Sequence, residues 1–129
     1  MTKPFSYSLD KNASKVHREI VKILKEECPS WNISQNHSIK IDDKTLYADI
    51  FCNSPFKFVL EIHGEQHYKF VKYFHGDMKN FKLTQANDNL KKDWCDMNGY
   101  CHIEIPTTKF KRENFVESIL KQVQDHLDD

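Results

Sequence analysis

The chain has 129 residues, 39% of them apolar and 29% charged, and its formal net charge at pH 7 is zero. These values suit one globular domain, 1–129, with a hydrophobic core of its own, and they disfavour a disordered or low-complexity chain. No apolar run approaches the roughly 20 residues that a membrane helix needs, and the first residues lack an apolar signal region, so the expected setting is intracellular and cytoplasmic, with no membrane partner.

Residues 1–11 read as an irregular arm. Asn12 or Ser14 is placed to cap a helix running to about Glu27, because Val16, Ile20, Ile23 and Leu24 recur at helical spacing before Pro29. Ile33 to Ile41 reads as a strand with Ile33, Ile39 and Ile41 on one parity. Asp42-Asp43-Lys44 is a turn, and Leu46 to Cys52 a second strand. After the turn Asn53-Ser54-Pro55, the segment Phe56 to His63 is too apolar for an exposed edge and should be a central strand.

Gly64 to Leu83 reads as a long irregular or partly helical stretch, and such stretches in compact domains are commonly functional. Thr84 is expected to open a helix that ends near Asn98 with Gly99 as its cap. Tyr100 to Ile105 is a short strand closed by Pro106, and a last helix runs from Lys111 to about Leu127. The predicted class is mixed α/β, with a central sheet of about four strands flanked by helices.

The chemistry concentrates on two strands. Asp49 sits inside the second, between Ala48 and Ile50, where a lone buried carboxylate is costly. Glu61 sits near the end of the next and shares a face with His63. If the strands pair antiparallel, Asp49 meets Glu61. Two carboxylates that meet across a sheet repel unless a cation lies between them, and hard oxygen donors suit Mg²⁺ (or Mn²⁺). The competing reading is two surface acids with ordinary lysine partners. His67 and His75 follow, but His63-Gly64-Glu65-Gln66-His67 is not the zinc-protease pattern, because Gly64 stands where that motif has its glutamate. A zinc site built from His63, His67 and a cysteine is a separate option. Cys28, Cys52, Cys95 and Cys101 form no C-x-x-C pair and read as reduced thiols. Charge is uneven: Lys69, Lys72, Lys79 and Lys82 follow the motif, laced with aromatic residues and opposed by Asp77 alone. By itself that stretch reads as a solvated loop over buried aromatics.

The segment Tyr47-Ala48-Asp49 followed by Leu60-Glu61-Ile62-His63-Gly64-Glu65-Gln66-His67 resembles the core of the PD-(D/E)XK, restriction-endonuclease-like nucleases, with His63 in the position of the family's lysine. It is most similar to the histidine-rich branch that holds the very-short-patch repair endonucleases and the EDxHD phage homing endonucleases. Asp88 matches the acid that this branch carries early in its next helix. The branch's first-helix glutamate is replaced by His17; Glu19 is nearby, but two residues turn it by about 200° around the helix. The structural zinc of the repair enzymes is not implied, because its ligand spacing is missing.

The resemblance implies a metal-dependent DNA endonuclease. Asp49, Glu61 and the carbonyl of Ile62 would hold Mg²⁺ or Mn²⁺. His63 would be the general base, and His67 would serve the leaving group. Asp88 would orient a histidine or an outer-shell water, and either His17 or Glu19 would take the first-helix role. Gln66, Lys69, Lys72, Lys79 and Lys82 would contact DNA. A monomer would nick and a homodimer could cut both strands. Specificity would need a dimer, a fused or partner recognition protein, or a particular DNA structure. A phage or mobile-element setting, such as an infected bacterial cell, fits so small a nuclease. The rivals are a catalytically inactive nucleic-acid- or protein-binding module of the same fold, and the zinc-binding protein.

Overall fold

The computed structural model describes residues 11–64 and 78–128. Helix α1 (Lys11–Glu27) leads into strands β1 (Ile33–Ile41), β2 (Lys44–Cys52) and β3 (Phe58–His63). Helix α2 (Met78–Asn98), strand β4 (Cys101–Pro106), a short 3₁₀ turn (Thr107–Lys109) and helix α3 (Phe115–Asp128) complete the order. The strands form one sheet in the order β1-β2-β3-β4. β1, β2 and β3 pair antiparallel, and β4 joins β3 in parallel, a connection that needs the intervening α2. The protein is a mixed α/β domain with a four-stranded sheet and helices on both faces.

Two apolar clusters divide at the sheet. On one face Val16, Ile20, Ile23 and Leu24 of α1 and Phe115, Ile119 and Val123 of α3 pack on Ile50, Phe58, Leu60, Ile62 and Ile103. On the other, Cys95 and Trp94 of α2 pack with Ile39, Phe51 and Val59. Each fully buried aliphatic side chain contributes roughly 1.5–3 kcal/mol. Every residue of β3 is buried, as expected of a central strand with helices on both faces. Its alternation sends Phe58, Leu60 and Ile62 to the α1/α3 face and leaves Glu61 and His63 on the α2 face with Val59.

Several expected boundaries and one parity are corrected. α1 already includes Asn12 and Ser14, so neither caps it. β2 begins at Lys44 rather than Leu46, and β3 at Phe58 rather than Phe56. α2 begins at Met78 rather than Thr84; the Thr84 hydroxyl donates to the Asn80 carbonyl at 3.1 Å, an interior back-bond that keeps the residue within the helix. α3 begins at Phe115 rather than Lys111, because Arg112 is held against Glu19 and Glu26 of α1 and the chain reverses at Asn114, φ 57°. Gly99 does end α2: its φ is 77°, and the Tyr100 amide donates to the Cys95 carbonyl at 2.9 Å.

Ile33, Ile39 and Ile41 do not share a face. Ile33 packs with the α1/α3 cluster, whereas Ile39 and Ile41 pack with the α2 cluster. The cause is Asn36, whose φ of 49° is left-handed and interrupts the two-residue alternation. Gln35 pairs with Ile50 and His37 with Ala48, so Asn36 lies opposite Asp49. The sheet is therefore distorted at Asp49.

Candidate active site

β2 and β3 pair through Cys52↔Phe58, Phe51↔Val59 and Ile50↔Leu60. The next pair in that register would be Asp49 with Glu61, and there the backbone ladder stops. Carboxylates take its place. The Ile62 amide donates to Asp49 Oδ2 at 2.8 Å, and the Asp49 amide donates to Glu61 Oε2 at 3.3 Å. Buried amides that lose a ladder partner need another acceptor, and these two find it in acids rather than in neighbouring strands. The fork thus fixes Asp49 and Glu61 beside one another, as the antiparallel pairing predicts.

Lys91 of α2 closes the fork. Its Nζ lies 2.5 Å from Glu61 Oε1 and donates to the Tyr47 carbonyl at 3.2 Å. The Glu61 side chain is 2% exposed and that of Lys91 12%, so this ion pair is nearly dry. Burial raises the Glu61 carboxyl to about 7, with Lys91 pulling it back and Asp49 pushing it further up. Burial alone would lower Lys91, but the charge of Glu61, reinforced by their hydrogen bond and by Asp49 and Asp88, holds it above its ordinary value. The direction that fits a contact this close is an intact ion pair. Three acids, Asp49, Glu61 and Asp88, therefore act on one ammonium.

A second polar chain runs beside the first. Glu104 of β4 lies opposite Glu61 in the parallel register. One of its oxygens is 2.6 Å from Lys92 Nζ and the other is 3.7 Å from His63 Nδ1. The His63 side chain is 4% exposed. Two residues before Glu104, in register with Val59, lies His102, whose Nε2 is buried without a hydrogen-bond partner among the described residues. Burial lowers the His102 pKa.

The remaining expectations divide. α1 turns His17 inward, where it is 2% exposed and its Nε2 lies 3.0 Å from Gln35 Oε1. Glu19 turns outward to Arg112. Of the two first-helix candidates, His17 is the one that meets the sheet, one residue from the Asn36 distortion. Asp88 lies one turn before Lys91, and its charge supports the ammonium. Lys79 and Lys82 are exposed at the start of α2. Gln66, His67, Lys69, Lys72 and His75 lie outside the described residues. Lys91, Lys92 and Glu104 were not anticipated. The available signal for Lys91 was its place four residues before buried Cys95, on the same side of α2.

The donor set can be set against a metal. Two carboxylates and the Ile62 carbonyl at one strand end are hard oxygen donors of the kind Mg²⁺ takes. Asp49 and Glu61 lie side by side at that end, so the donor chemistry is of a kind that would suit a divalent cation. Among the described residues, no group of three or more His, Cys, Asp and Glu side chains is arranged around one point for a metal. Glu61 of the pair is instead held by Lys91. For zinc, the thiols are poorly disposed: all four cysteines are buried, and burial pushes Cys95 up to about 12.

No protein-family model matches the chain, and no solved structure does. The chain is similar to uncharacterized protein 307L of Invertebrate iridescent virus 6, at 41% identity over 61 residues, 46% of this chain and 31% of that protein. It is also similar to uncharacterized protein 033L of Invertebrate iridescent virus 3, at 35% identity over 68 residues, 53% of this chain and 34% of that protein. The matched segments span about a third of each relative's length. No helix among the described residues is long and apolar enough to cross a membrane.

Proposed function

We propose that this domain is a DNA endonuclease of the PD-(D/E)XK type that uses Mg²⁺ or Mn²⁺. The observation that carries the reading is the fork between β2 and β3, where Asp49 and Glu61 meet beside Lys91. The two acids serve the amides of the broken ladder and a buried lysine, and the same side-by-side placement would suit a cation held against a phosphodiester.

Asp49, Glu61 and the Ile62 carbonyl would hold the cation. When bound, it would stabilise charge developing on the phosphate and acidify a water molecule. The chain's own groups supply the rest. His63 accepts a proton from the attacking water, with Nδ1 turned to Glu104. Lys91 stands where an ammonium can reach both Glu61 and a phosphate, in place of the lysine that His63 displaces from the motif. Glu61 above all, with Asp49 and Asp88 adding to it, keeps that ammonium charged. His67 serves the leaving group, and His17 braces the distorted strand through Gln35. Gln66, Lys69, Lys72, Lys79 and Lys82 hold the DNA backbone without reading sequence. A homodimer, a fused or partner protein, or a particular DNA structure supplies specificity. The source of the two relatives makes a virus-infected cell the natural setting.

A second reading has one observation in its favour. Because Lys91 already neutralises Glu61, the same fold could serve as a non-catalytic module that binds nucleic acid or protein. Incubation of labelled single-stranded, duplex and branched DNA with the purified protein, in Mg²⁺, Mn²⁺ and EDTA, separates the two. Metal-dependent cleavage supports the nuclease. Binding without cleavage under every condition supports the module.

A further inference from the structure

The ammonium of Lys91 occupies Glu61 Oε1, an oxygen that Glu61 would otherwise offer to a cation. One Glu61 oxygen is committed to Lys91 and the other to the Asp49 amide. A divalent ion that uses Glu61 must therefore compete with Lys91. The ammonium in turn leaves most readily if another anion receives it, because an unpaired buried ammonium is costly. At this site, under the nuclease reading on which the argument rests, the available anion is a phosphodiester of the bound DNA.

We propose that Lys91 is a phosphate-binding residue that doubles as the resident counter-ion of the carboxylate pair, so that DNA and the divalent cation bind cooperatively. In the free protein Lys91 holds Glu61. With DNA in place it turns to a backbone phosphate and uncovers Glu61 Oε1. No bond is made or broken; one ion pair, Lys91 with Glu61, is exchanged for two, Lys91 with phosphate and the carboxylates with the divalent cation. Three features support the exchange. Lys91 reaches Glu61 from a different element, α2, so its side chain can swing without disturbing β3. Its hydrogen bond to the neutral Tyr47 carbonyl holds it less firmly than a carboxylate does. The acids around it outnumber it, so the pair stays attractive to a cation of higher charge.

The inference predicts effects of opposite sign when the ammonium is removed. Mn²⁺ is titrated into the DNA-free full-length protein, wild type and Lys91→Met, with free Mn²⁺ read by its paramagnetic resonance. A labelled duplex is titrated separately in EDTA, with anisotropy as the readout. Lys91→Met should bind Mn²⁺ about tenfold or more tighter than wild type, in the range of ordinary coupling between sites. It should bind the duplex more weakly, with the salt dependence reduced by about one phosphate contact. A lysine that merely supports the fold would weaken both or change neither.

The wild-type protein gives a reading that needs no variant. Mn²⁺ should speed acetylation of Lys91, followed by peptide mass, because the cation displaces the ammonium from its dry pair. If wild type binds Mn²⁺ as tightly as Lys91→Met, or if saturating Mn²⁺ leaves Lys91 acetylation unchanged, the exchange is refuted while the metal site stands. If neither protein binds Mn²⁺, the carboxylate pair is not a cation site, and both the exchange and the nuclease reading fall.

Discussion

Lys91 Nζ lies 2.5 Å from Glu61 Oε1, joining α2 to the end of the central strand β3 through a pair that solvent barely reaches. Buried ion pairs of this kind contribute little net stability as a unit, but breaking one is expensive, because it strands a charge. Lys91→Met alone should lower stability by about 3–5 kcal/mol on that account. Adding Glu61→Gln should restore most of it. Urea unfolding of the two single variants and the double variant measures the coupling directly, and simple additivity would contradict the pairing.

Glu104 touches both His63 and Lys92 and, under the proposed nuclease function, should act on cleavage through His63. His63→Ala is expected to cut the cleavage rate by about 10²-fold or more, the usual scale for losing a general base. Glu104→Gln should cost on the order of tenfold, within the range seen for groups that orient a site's first-rank residues. Glu104→Asp should recover part of that loss. Single-turnover rates at saturating DNA separate these effects from binding.

Asn36 carries the positive φ that flips the faces of β1 opposite Asp49. Its Oδ1 makes no hydrogen bond among the described residues, so the side chain is dispensable while the backbone conformation is not. Asn36→Gly should fold as well as wild type. Asn36→Val should lose about 1–2 kcal/mol, because β-branched residues resist the left-handed region. Thermal melts compare the two.

His102 predicts a pH dependence of stability. Burial lowers its pKa from 6.5, so the folded state takes up a proton less readily than the unfolded chain. The contribution is complete above 6.5 and is lost as pH falls through that value toward the lower folded pKa. Melting temperature should therefore decline on mild acidification, and His102→Gln should flatten the decline. An unchanged slope in the variant would assign the acid sensitivity to other groups.

Much of the fold was legible because its signals are periodic. The apolar stripes of α1 and α3 and the unbroken run of β3 follow from where each element is buried. Gly99 is legible because a helix end needs a left-handed residue. The start of α2 was not legible, since that helix has little amphipathic contrast and Thr84 resembles a cap until its hydroxyl is seen bonded backward. The flip at Asn36 was hidden, because an asparagine within a strand pattern carries no mark of its φ. In the site, Asp49 and Glu61 were recognisable as acids out of place among apolar neighbours. Lys91 and Glu104 were not: one is among many helix lysines, and the other alternates with apolar residues as any half-exposed strand acid does. What distinguishes them is proximity across elements, which only the packing of α2 on the sheet supplies.

In the proposed nuclease, Asp49 and Glu61 would hold a catalytic cation at the β2–β3 fork. Asp49→Asn tests it most directly, because the amide oxygen can still accept from the Ile62 amide while the charge is removed. The measurement is conversion of supercoiled plasmid to nicked or linear form in Mg²⁺ or Mn²⁺, against EDTA, with wild type and Asp49→Asn side by side. The account predicts metal-dependent conversion by wild type that falls by about 10²-fold or more in a variant of unchanged fold. Cleavage that persists in EDTA, or that Asp49→Asn retains, would contradict it.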